Sequence, residues 1–280
     1  RDVEVLAPEN LIGRADAVIL SGGSVFGLAA GDGVAKILSK QNIGLKFTET
    51  MPAVPIVVGA ILFDLVNGGD KNWDLDTPYH DLGIKALSDA QERNGARFPL
   101  GNHGAGLGAR AGNKEGGLGS ASLDLGDGLM VGALVAVNSV GSVFMPDGKT
   151  YWAQPFAYGD ELGGQKSNPN QDPAIQPIPD DAKLKGMTAG TNTTIGVIAT
   201  SAKLTTAECK RVAMMAHDGF ARAIRPVHTP SDGDTIFCIS GGTKEIPNGT
   251  TRAGWLSEIG SAAADTMARA IARGVYEAQK

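Results

Sequence analysis

The last third of the chain alternates short β-branched segments with long amphipathic ones, and this pattern restricts the fold more than any other feature. Residues 194–200 and 235–240 (TIFCIS) have the length and residue types of buried strands. A helical pattern follows each, the first opened by a capping box at Thr205 and Glu208 and the second covering 256–276. We expect the core-facing residues to be Val212, Met215, Ala216 and Phe220 in the first helix, and Leu256, Ile259, Ala263, Met267 and Ile271 in the second. Strands alternating with helices predict a mixed α/β fold of layered sheets and helices.

The first two thirds of the chain contain weaker patterns. Short apolar segments predict four elements: a strand over 17–20, a helix capped at Ser24, a helix over 55–65 and a helix over 81–93. Residues 129–137 and 142–145 are expected to pair as strands. Residues 154–185 are rich in Pro, Gly, Asn and Asp and have little periodicity, so we expect an exposed, mobile linker there.

Composition excludes several classes of protein. With 280 residues, 42% hydrophobic and 20% charged, the chain can form one large globular domain or two small ones. A net charge of −5 without a basic run argues against nucleic-acid binding, and no apolar run approaches the roughly 20 residues needed to span a bilayer. Cys209 and Cys238 have no metal or redox spacing and are typical of thiols in a reducing compartment, so we expect a cytoplasmic location.

Two motif-like patterns fail on their context. Residues 104–109 match G-x-G-x-x-G/A, but they follow no expected strand and have no well-placed acidic partner, so we expect no nicotinamide site. His228, Asp232 and Asp234 do not have a specific metal spacing, and turn chemistry explains these residues equally well. We therefore expect neither a metal nor a cofactor.

The triplet Asn192-Thr193-Thr194 stands where the linker gives way to the first of the two late strands. It allows two interpretations. Thr193 and Thr194 can simply be β-branched residues entering a strand. Alternatively, the Thr193 hydroxyl attacks the carbonyl before it, and cleavage makes Thr193 a chain terminus. Its new α-amine, with a pKa of roughly 7.7–8.0, would then act as the base for its own hydroxyl.

Five blocks in order make the chain resemble the β-peptidyl aminopeptidase / L-aminopeptidase–D-esterase family, and most closely its nylon-oligomer hydrolase branch. The blocks are SGGSVFGLAAGDGV (21–34), HGAGLGARAGNKEGGLGSAS (103–122), GALVAVNSVG (132–141), NTTIGVIAT (192–200) and AIRPVHTPSDGDTIF (223–237). The resemblance implies a four-layer αββα sandwich of the self-processing N-terminal-nucleophile type. It also implies cleavage into fragments 1–192 and 193–280 that together form one domain, and a homo-oligomer of such αβ pairs.

The resemblance also implies roles for individual residues. Thr193 takes the place of the nucleophile, and Asn192 ends the larger fragment. Lys114 falls where the family has an active-site lysine, whose positive charge would lower the pKa of the Thr193 amine and stabilise developing negative charge. Asn138 matches the active-site amide that would orient Thr193 or serve the oxyanion.

Three further positions bear on the site and its substrate. Asp232 and Asp234 match an acidic pair that would hold the new ammonium and the active-site lysine. Phe63 stands where the nylon branch has tyrosine, so we expect a more apolar substrate groove.

The segment RDVEVLAPENL that begins at Arg1 resembles an internal part of the family, so we expect residues upstream of Arg1.

Taken with these residues, the resemblance implies a self-cleaving hydrolase acting on linear amides such as 6-aminohexanoate oligomers, with a small amide or peptide as substrate. Three alternatives remain open at this point. One is a β-peptidyl or L-aminopeptidase, and another is an acyltransferase like the ornithine acetyltransferases, in which an amine replaces water as acceptor. The third is an uncleaved structural oligomer in which the threonines are only strand residues.

Overall fold

A computed structural model describes residues 1–93, 95, 97–166, 177–183 and 192–280. Its strands are β1 Ala17–Ser21, β2 Val57–Ile61, β3 Arg110–Ala111, β4 Lys114–Glu115, β5 Gly117–Asp124, β6 Met130–Val137, β7 Ile195–Ala202 and β8 Thr235–Lys244. Its α-helices are α1 Ala29–Lys40, α2 Tyr79–Arg93, α3 Thr206–Ala223 and α4 Arg252–Ala278. Strands and helices alternate in both halves of the chain, which confirms the α/β fold class.

The largest sheet has the strand order β5-β6-β7-β8. β6 is antiparallel to both β5 and β7, whereas β7 and β8 run parallel. Helices α3 and α4 cover one face of this sheet, where Phe220, Met267 and Ile271 are buried together with residues of β6 and β7. This face contains the main hydrophobic core.

The pair β1-β2 is a separate parallel sheet that contacts the other face of the large one. Alternate residues of a strand point to opposite faces, and β1 follows that rule. Val18 and Leu20 join Val197 and Phe237 of the large sheet, whereas Ala17 and Ile19 join residues of α1 and α2. The small sheet therefore lies between the large sheet and the first two helices.

The glycine-rich run after residue 101 contains β5, which the sequence did not indicate. A Cβ on Gly119 would lie 1.9 Å from the carbonyl oxygen of Ala270, and a Cβ on Gly117 would lie 2.3 Å from that of Gly274. Only glycine permits this approach of β5 to α4. The glycines thus serve packing between a strand and a helix.

Three expectations about the first two thirds of the chain are wrong. Residues 57–61 form β2 rather than part of a helix, because this β-branched segment completes a parallel pair with β1. Ser24 does not cap a helix: it has a φ of 52° and begins a short 3₁₀ segment without a side-chain cap. Residues 142–145 do not pair with β6; Ser142 forms a bridge to Arg225 instead.

The expectations for the last third are confirmed. The side chains of Thr205 and Glu208 form the reciprocal capping box at the start of α3. β7, β8 and α4 lie within a few residues of the expected ranges. Part of the expected linker, at 167–176 and 184–185, lies outside the described residues. In its described part, Leu162 and Ala182 are buried. No described helix is long and apolar enough to cross a membrane.

Candidate active site

The register of the large sheet brings three chain segments together at one edge. β6 ends at Val137 and is antiparallel to β7, which begins at Ile195. β8 is parallel to β7, with Thr235 opposite Ile195. The residues after β6, before β7 and before β8 must therefore be neighbours. These segments contain Asn138, the Asn192–Thr193 junction, and the pair Asp232 and Asp234.

The peptide bond between Asn192 and Thr193 is held by hydrogen bonds on both sides. The Thr193 N–H donates to the backbone oxygen of Asn138 at 2.8 Å. The Asn192 carbonyl oxygen accepts from the Gly233 N–H at 3.1 Å and from the Thr193 hydroxyl at 2.5 Å. The Thr193 hydroxyl and the Gly233 N–H therefore meet at the same oxygen, that of the carbonyl directly before Thr193.

Asn138 is fully buried and its side chain ties three loops together. Its Oδ1 accepts from the Arg110 N–H at 2.9 Å and from Asn67 Nδ2 at 3.2 Å. Its Nδ2 donates to the backbone oxygen of Phe63 at 2.8 Å. The residue therefore reaches Thr193 through its backbone carbonyl, and Phe63 enters this network through its main chain.

The two aspartates bind different parts of the site. Asp232 Oδ1 accepts from the Val140 N–H at 3.1 Å, and its Oδ2 accepts from the Thr229 hydroxyl at 2.7 Å. Burial raises the pKa of Asp232, and the nearby Asp234 raises it further. Asp234 accepts from the Thr194 N–H at 2.9 Å and contacts Nδ1 of His228 at 2.7 Å.

His228 was not expected to take part in the site. Its hydrogen bond to the Asp234 carboxylate raises the pKa of the imidazole. It has a φ of 53°, in the left-handed region, which turns the chain ahead of Asp232 and Asp234. His228 is therefore the hydrogen-bond partner of the carboxylate that binds the Thr194 N–H, at the start of the segment leading into β7.

Of two lysines, it is Lys183 rather than Lys114 that reaches the junction. Lys114 is exposed on the β3-β4 hairpin, and its side chain makes no hydrogen bond or ion pair within the described part of the chain. Lys183 Nζ donates to Asn192 Oδ1 at 2.8 Å and to the backbone oxygen of Arg110 at 2.8 Å. Burial and the nearby Arg110 lower the pKa of Lys183 to about 8, and Asp232 opposes this shift.

An open cavity of about 440 Å³ adjoins the junction through Lys183. Its described lining residues are Val66, Asn67, Gly68, Arg110, Gly112, Asn113 and Lys183. Asn67 and Arg110 also bind the Asn138 side chain. Two residues of the cavity wall therefore contact the residue whose backbone oxygen accepts the Thr193 N–H. Two of the described lining residues are cationic and none is acidic, so this wall favours neutral polar or anionic groups over cationic ones.

No sequence pattern indicates a role for Lys183, and only a weak pattern indicates one for Gly233. Lys183 lies in a segment without periodicity, and its role depends on contacts between distant segments. Gly233 belongs to a turn sequence, Ser231-Asp-Gly-Asp, which chain reversal alone explains. Only the structure shows that a Cβ at this position would lie 3.0 Å from Thr193 Oγ1.

Comparison with known proteins places this geometry in a family context. The profile of peptidase family S58 matches residues 1–280. An uncharacterised aminopeptidase of Mycobacterium leprae is 40% identical over 100% of this chain and 76% of its own length. The 6-aminohexanoate-oligomer endohydrolase of an Agromyces strain is 30% identical over 84% of this chain and 62% of its own length.

Two solved structures share the fold. A β-aminopeptidase from a Burkholderia species has a TM-score of 0.53 at 22% identity, over 88% of this chain and 62% of that one. The L-aminopeptidase D-Ala-esterase/amidase from Ochrobactrum anthropi, described as a variant of the N-terminal-nucleophile hydrolase fold, has a TM-score of 0.57 at 21% identity. That match covers 88% of this chain and 61% of the other. This chain therefore spans less than two thirds of either structure.

Proposed function

The chain belongs to peptidase family S58, a premise from which we propose that it is a self-cleaving amide hydrolase with Thr193 as its nucleophile. The observation that carries the proposal is the contact of the Thr193 hydroxyl with the Asn192 carbonyl oxygen at 2.5 Å. The Gly233 N–H on the same oxygen supports it, because this donor would stabilise the charge that develops there during attack.

Self-cleavage would proceed in two steps. Thr193 Oγ1 attacks the Asn192 carbonyl carbon, the C–N bond breaks, and the hydroxyl proton ends on the departing nitrogen, leaving an ester between Asn192 and Thr193. Water then hydrolyses the ester. The products are a carboxylate on Asn192, a free hydroxyl on Thr193 and a free α-amine on the same residue.

In turnover, the free amine of Thr193 accepts the proton of its own hydroxyl while the oxygen attacks a substrate carbonyl. The leaving amine takes up that proton, and water hydrolyses the acyl-enzyme. The Asn138 backbone oxygen, which accepts the Thr193 N–H before cleavage, is placed to accept from the new amine. Asp232 and Asp234 fix the backbone on either side through Val140 and Thr194.

Lys114 follows Asn113, which lines the cavity, so we place its proposed role with the substrate rather than with the junction. From the exposed hairpin its ammonium would stabilise negative charge on a bound amide. The Asn138 side chain would act by orienting the loops of Phe63 and Arg110. Phe63 would leave the groove more apolar than a tyrosine would.

The architecture that we propose is a four-layer αββα sandwich shared by fragments 1–192 and 193–280. Its support is the succession of contacts from α3 and α4 through the large sheet and β1-β2 to α1 and α2. We also propose that such αβ pairs assemble into a homo-oligomer, a proposal that the family resemblance supports.

For the substrate we propose internal bonds of linear amides such as 6-aminohexanoate oligomers. An aminopeptidase must hold a substrate ammonium, and a carboxylate is the usual partner for it. The described cavity wall presents Arg110 and Lys183 and no carboxylate. The second candidate is an aminopeptidase for β-peptides or short peptides, favoured by the 40% identity to the M. leprae aminopeptidase.

Intact mass under denaturing conditions tests the nucleophile. Wild type should give two fragments, 1–192 and 193–280, in place of a single 28.8 kDa chain. Thr193→Ala should stay whole and inactive, whereas Thr193→Ser keeps a hydroxyl and should still cleave. An active wild-type preparation that consists of the uncut chain would refute the mechanism.

A second experiment distinguishes the two candidate substrate classes by comparing hydrolysis of a 6-aminohexanoate oligomer with hydrolysis of its N-acetylated form. Acetylation should abolish hydrolysis only if the enzyme recognises the free amine of the substrate.

A further inference from the structure

We propose that Lys183 is a positioning residue for self-cleavage, which holds the Asn192 side chain so that the Asn192 carbonyl stays within reach of the Thr193 hydroxyl. The proposal depends on the self-cleavage inferred above. It assigns a role to a lysine other than the one that the family resemblance indicates.

Lys183 is fixed at both its backbone and its ammonium. Its N–H donates to the backbone oxygen of Val140 at 2.9 Å, and the Val140 N–H in turn donates to Asp232. At the other end, Nζ donates to the backbone oxygen of Arg110 at 2.8 Å. The Arg110 N–H donates to Asn138 Oδ1, so this end is tied to the residue that supports Thr193. Lys183 therefore connects the backbone at Val140 to the backbone at Arg110.

The Lys183 ammonium also contacts the Asn192 side chain. Lys183 Nζ donates to Asn192 Oδ1 at 2.8 Å. The carbonyl oxygen of Asn192 is bound by Gly233, and the following N–H by Asn138. Three segments thus hold three groups of the same junction. Attack within a chain requires such a fixed geometry, since a displacement of about 1 Å can reduce a rate roughly 100-fold.

Charge strengthens this hold. The groups facing the Lys183 ammonium are Arg110, which with burial lowers its pKa to about 8, and Asp232, which opposes the shift. Lys183 is therefore mostly protonated at pH 7. Hydrogen bonds from a charged donor are about twice as strong as neutral ones. The amide of Asn192 is accordingly held by a charged donor, which would also face the new Asn192 carboxylate after cleavage.

The test measures the rate at which newly made chains convert to fragments, followed by intact mass after cell-free synthesis. We expect Lys183→Met to slow conversion at least 10-fold and Lys183→Arg, which keeps a cationic donor, to recover part of the rate. Lys85→Met is the matched control, because Lys85 is an exposed lysine on α2 and should leave the rate unchanged. Melting temperatures report whether each precursor folds, and Lys183→Gln replaces the methionine variant should that one fail to fold.

A double-mutant cycle distinguishes positioning from a general structural role. If Lys183 acts through the Asn192 side chain, Asn192→Ala should slow conversion similarly, and Lys183→Met should add little to it. Losses that multiply, or a Lys183→Met precursor that converts at the wild-type rate, would overturn this inference while leaving the proposed function intact. A wild-type chain that never converts would overturn both.

Discussion

Gly233 lies beside the proposed nucleophile, in the turn that precedes β8. Its N–H donates to the Asn192 carbonyl oxygen at 3.1 Å, and a Cβ there would lie 3.0 Å from Thr193 Oγ1. That separation is tighter than ordinary side-chain contacts, so the hydroxyl or the turn must shift. We predict that Gly233→Ala slows self-cleavage at least 10-fold while the precursor stays folded, as intact mass and thermal melting would show.

Gly254 provides the matched control for this substitution. It lies in α4 with no atom within 4 Å of a Cβ, so Gly254→Ala should cleave normally. The alanine should also raise the free energy of unfolding by up to about 1 kcal/mol, because glycine is a poor helix former. Equal cleavage rates in Gly233→Ala and Gly254→Ala would show that Thr193 does not need the space beside Gly233.

At this scale, the sequence indicates the residues that flank strands and misses those that act through distant contacts. Asn138, Thr193 and Asp234 each lie within two residues of a strand end, and strand register then makes them neighbours. Their catalytic roles stay predictions. Lys183 is separated from Arg110 by 73 residues, and nothing local marks their contact. Sequence patterns therefore predict which residues lie at the edge of the sheet but not the contacts that Lys183 makes there.

The contact of β5 with α4 depends on glycine at the element scale. Gly119 lies on β5, where a Cβ would come within 1.9 Å of the Ala270 carbonyl oxygen. Neither backbone can yield without disturbing the sheet or the helix. We predict that Gly119→Ala lowers the free energy of unfolding by about 1–3 kcal/mol, the usual cost of overpacking a core. Urea denaturation followed by circular dichroism would measure it.

The neighbouring strand supplies the comparison. Gly132 on β6 pairs with Ser122 of β5, and a Cβ there would meet its nearest atom at 3.8 Å, an ordinary contact. Gly132→Ala should therefore be neutral or slightly stabilising. A Gly119→Ala variant as stable as Gly132→Ala would mean that β5 and α4 are not packed backbone to backbone.

Elements with a long period or a capping signal could be predicted, and short apolar segments could not. α3 and α4 have several turns of helical spacing, and the capping box places the start of α3. β2 is only five residues long, and its strand character comes from pairing with β1. β5 could not be predicted because it is rich in glycine, and the glycines are explained only by the close packing of α4 against the strand. Tertiary context therefore decided the elements that local pattern left ambiguous.

At the scale of the whole molecule, the proposed cleavage would cut the chain without separating its parts. β6 lies in fragment 1–192 and β7 in fragment 193–280, yet they are adjacent strands with six paired positions. α4, in the second fragment, packs against β5 and β6 of the first. We therefore expect both fragments to elute together on gel filtration in native buffer.

Glu161 also joins the two proposed fragments through ion pairs with two arginines of α4, a close one to Arg269 and a longer one to Arg273 at 3.9 Å. Arg269 on α4 donates to both carboxylate oxygens of Glu161, at 2.7 and 2.9 Å, and only about a tenth of each side chain is exposed. Glu161 belongs to the segment expected to be a linker, which this contact anchors. Removing one partner of a buried pair leaves an unpaired charge. We predict that Glu161→Gln lowers the free energy of unfolding of the cleaved protein by about 3–5 kcal/mol.

The exposed ion pair between Lys203 and Glu245 provides a control, because Glu245→Gln removes the same charge as Glu161→Gln but from the surface. Both of its residues lie in fragment 193–280, and more than half of each side chain is exposed. Glu245→Gln should therefore cost less than about 1 kcal/mol. Urea titration of the cleaved protein, with fragment association followed by gel filtration, compares the two variants. If Glu161→Gln releases the fragments at the same urea concentration as Glu245→Gln, the Arg269 contact does not hold the halves together. Strand pairing between β6 and β7 would then be the main connection.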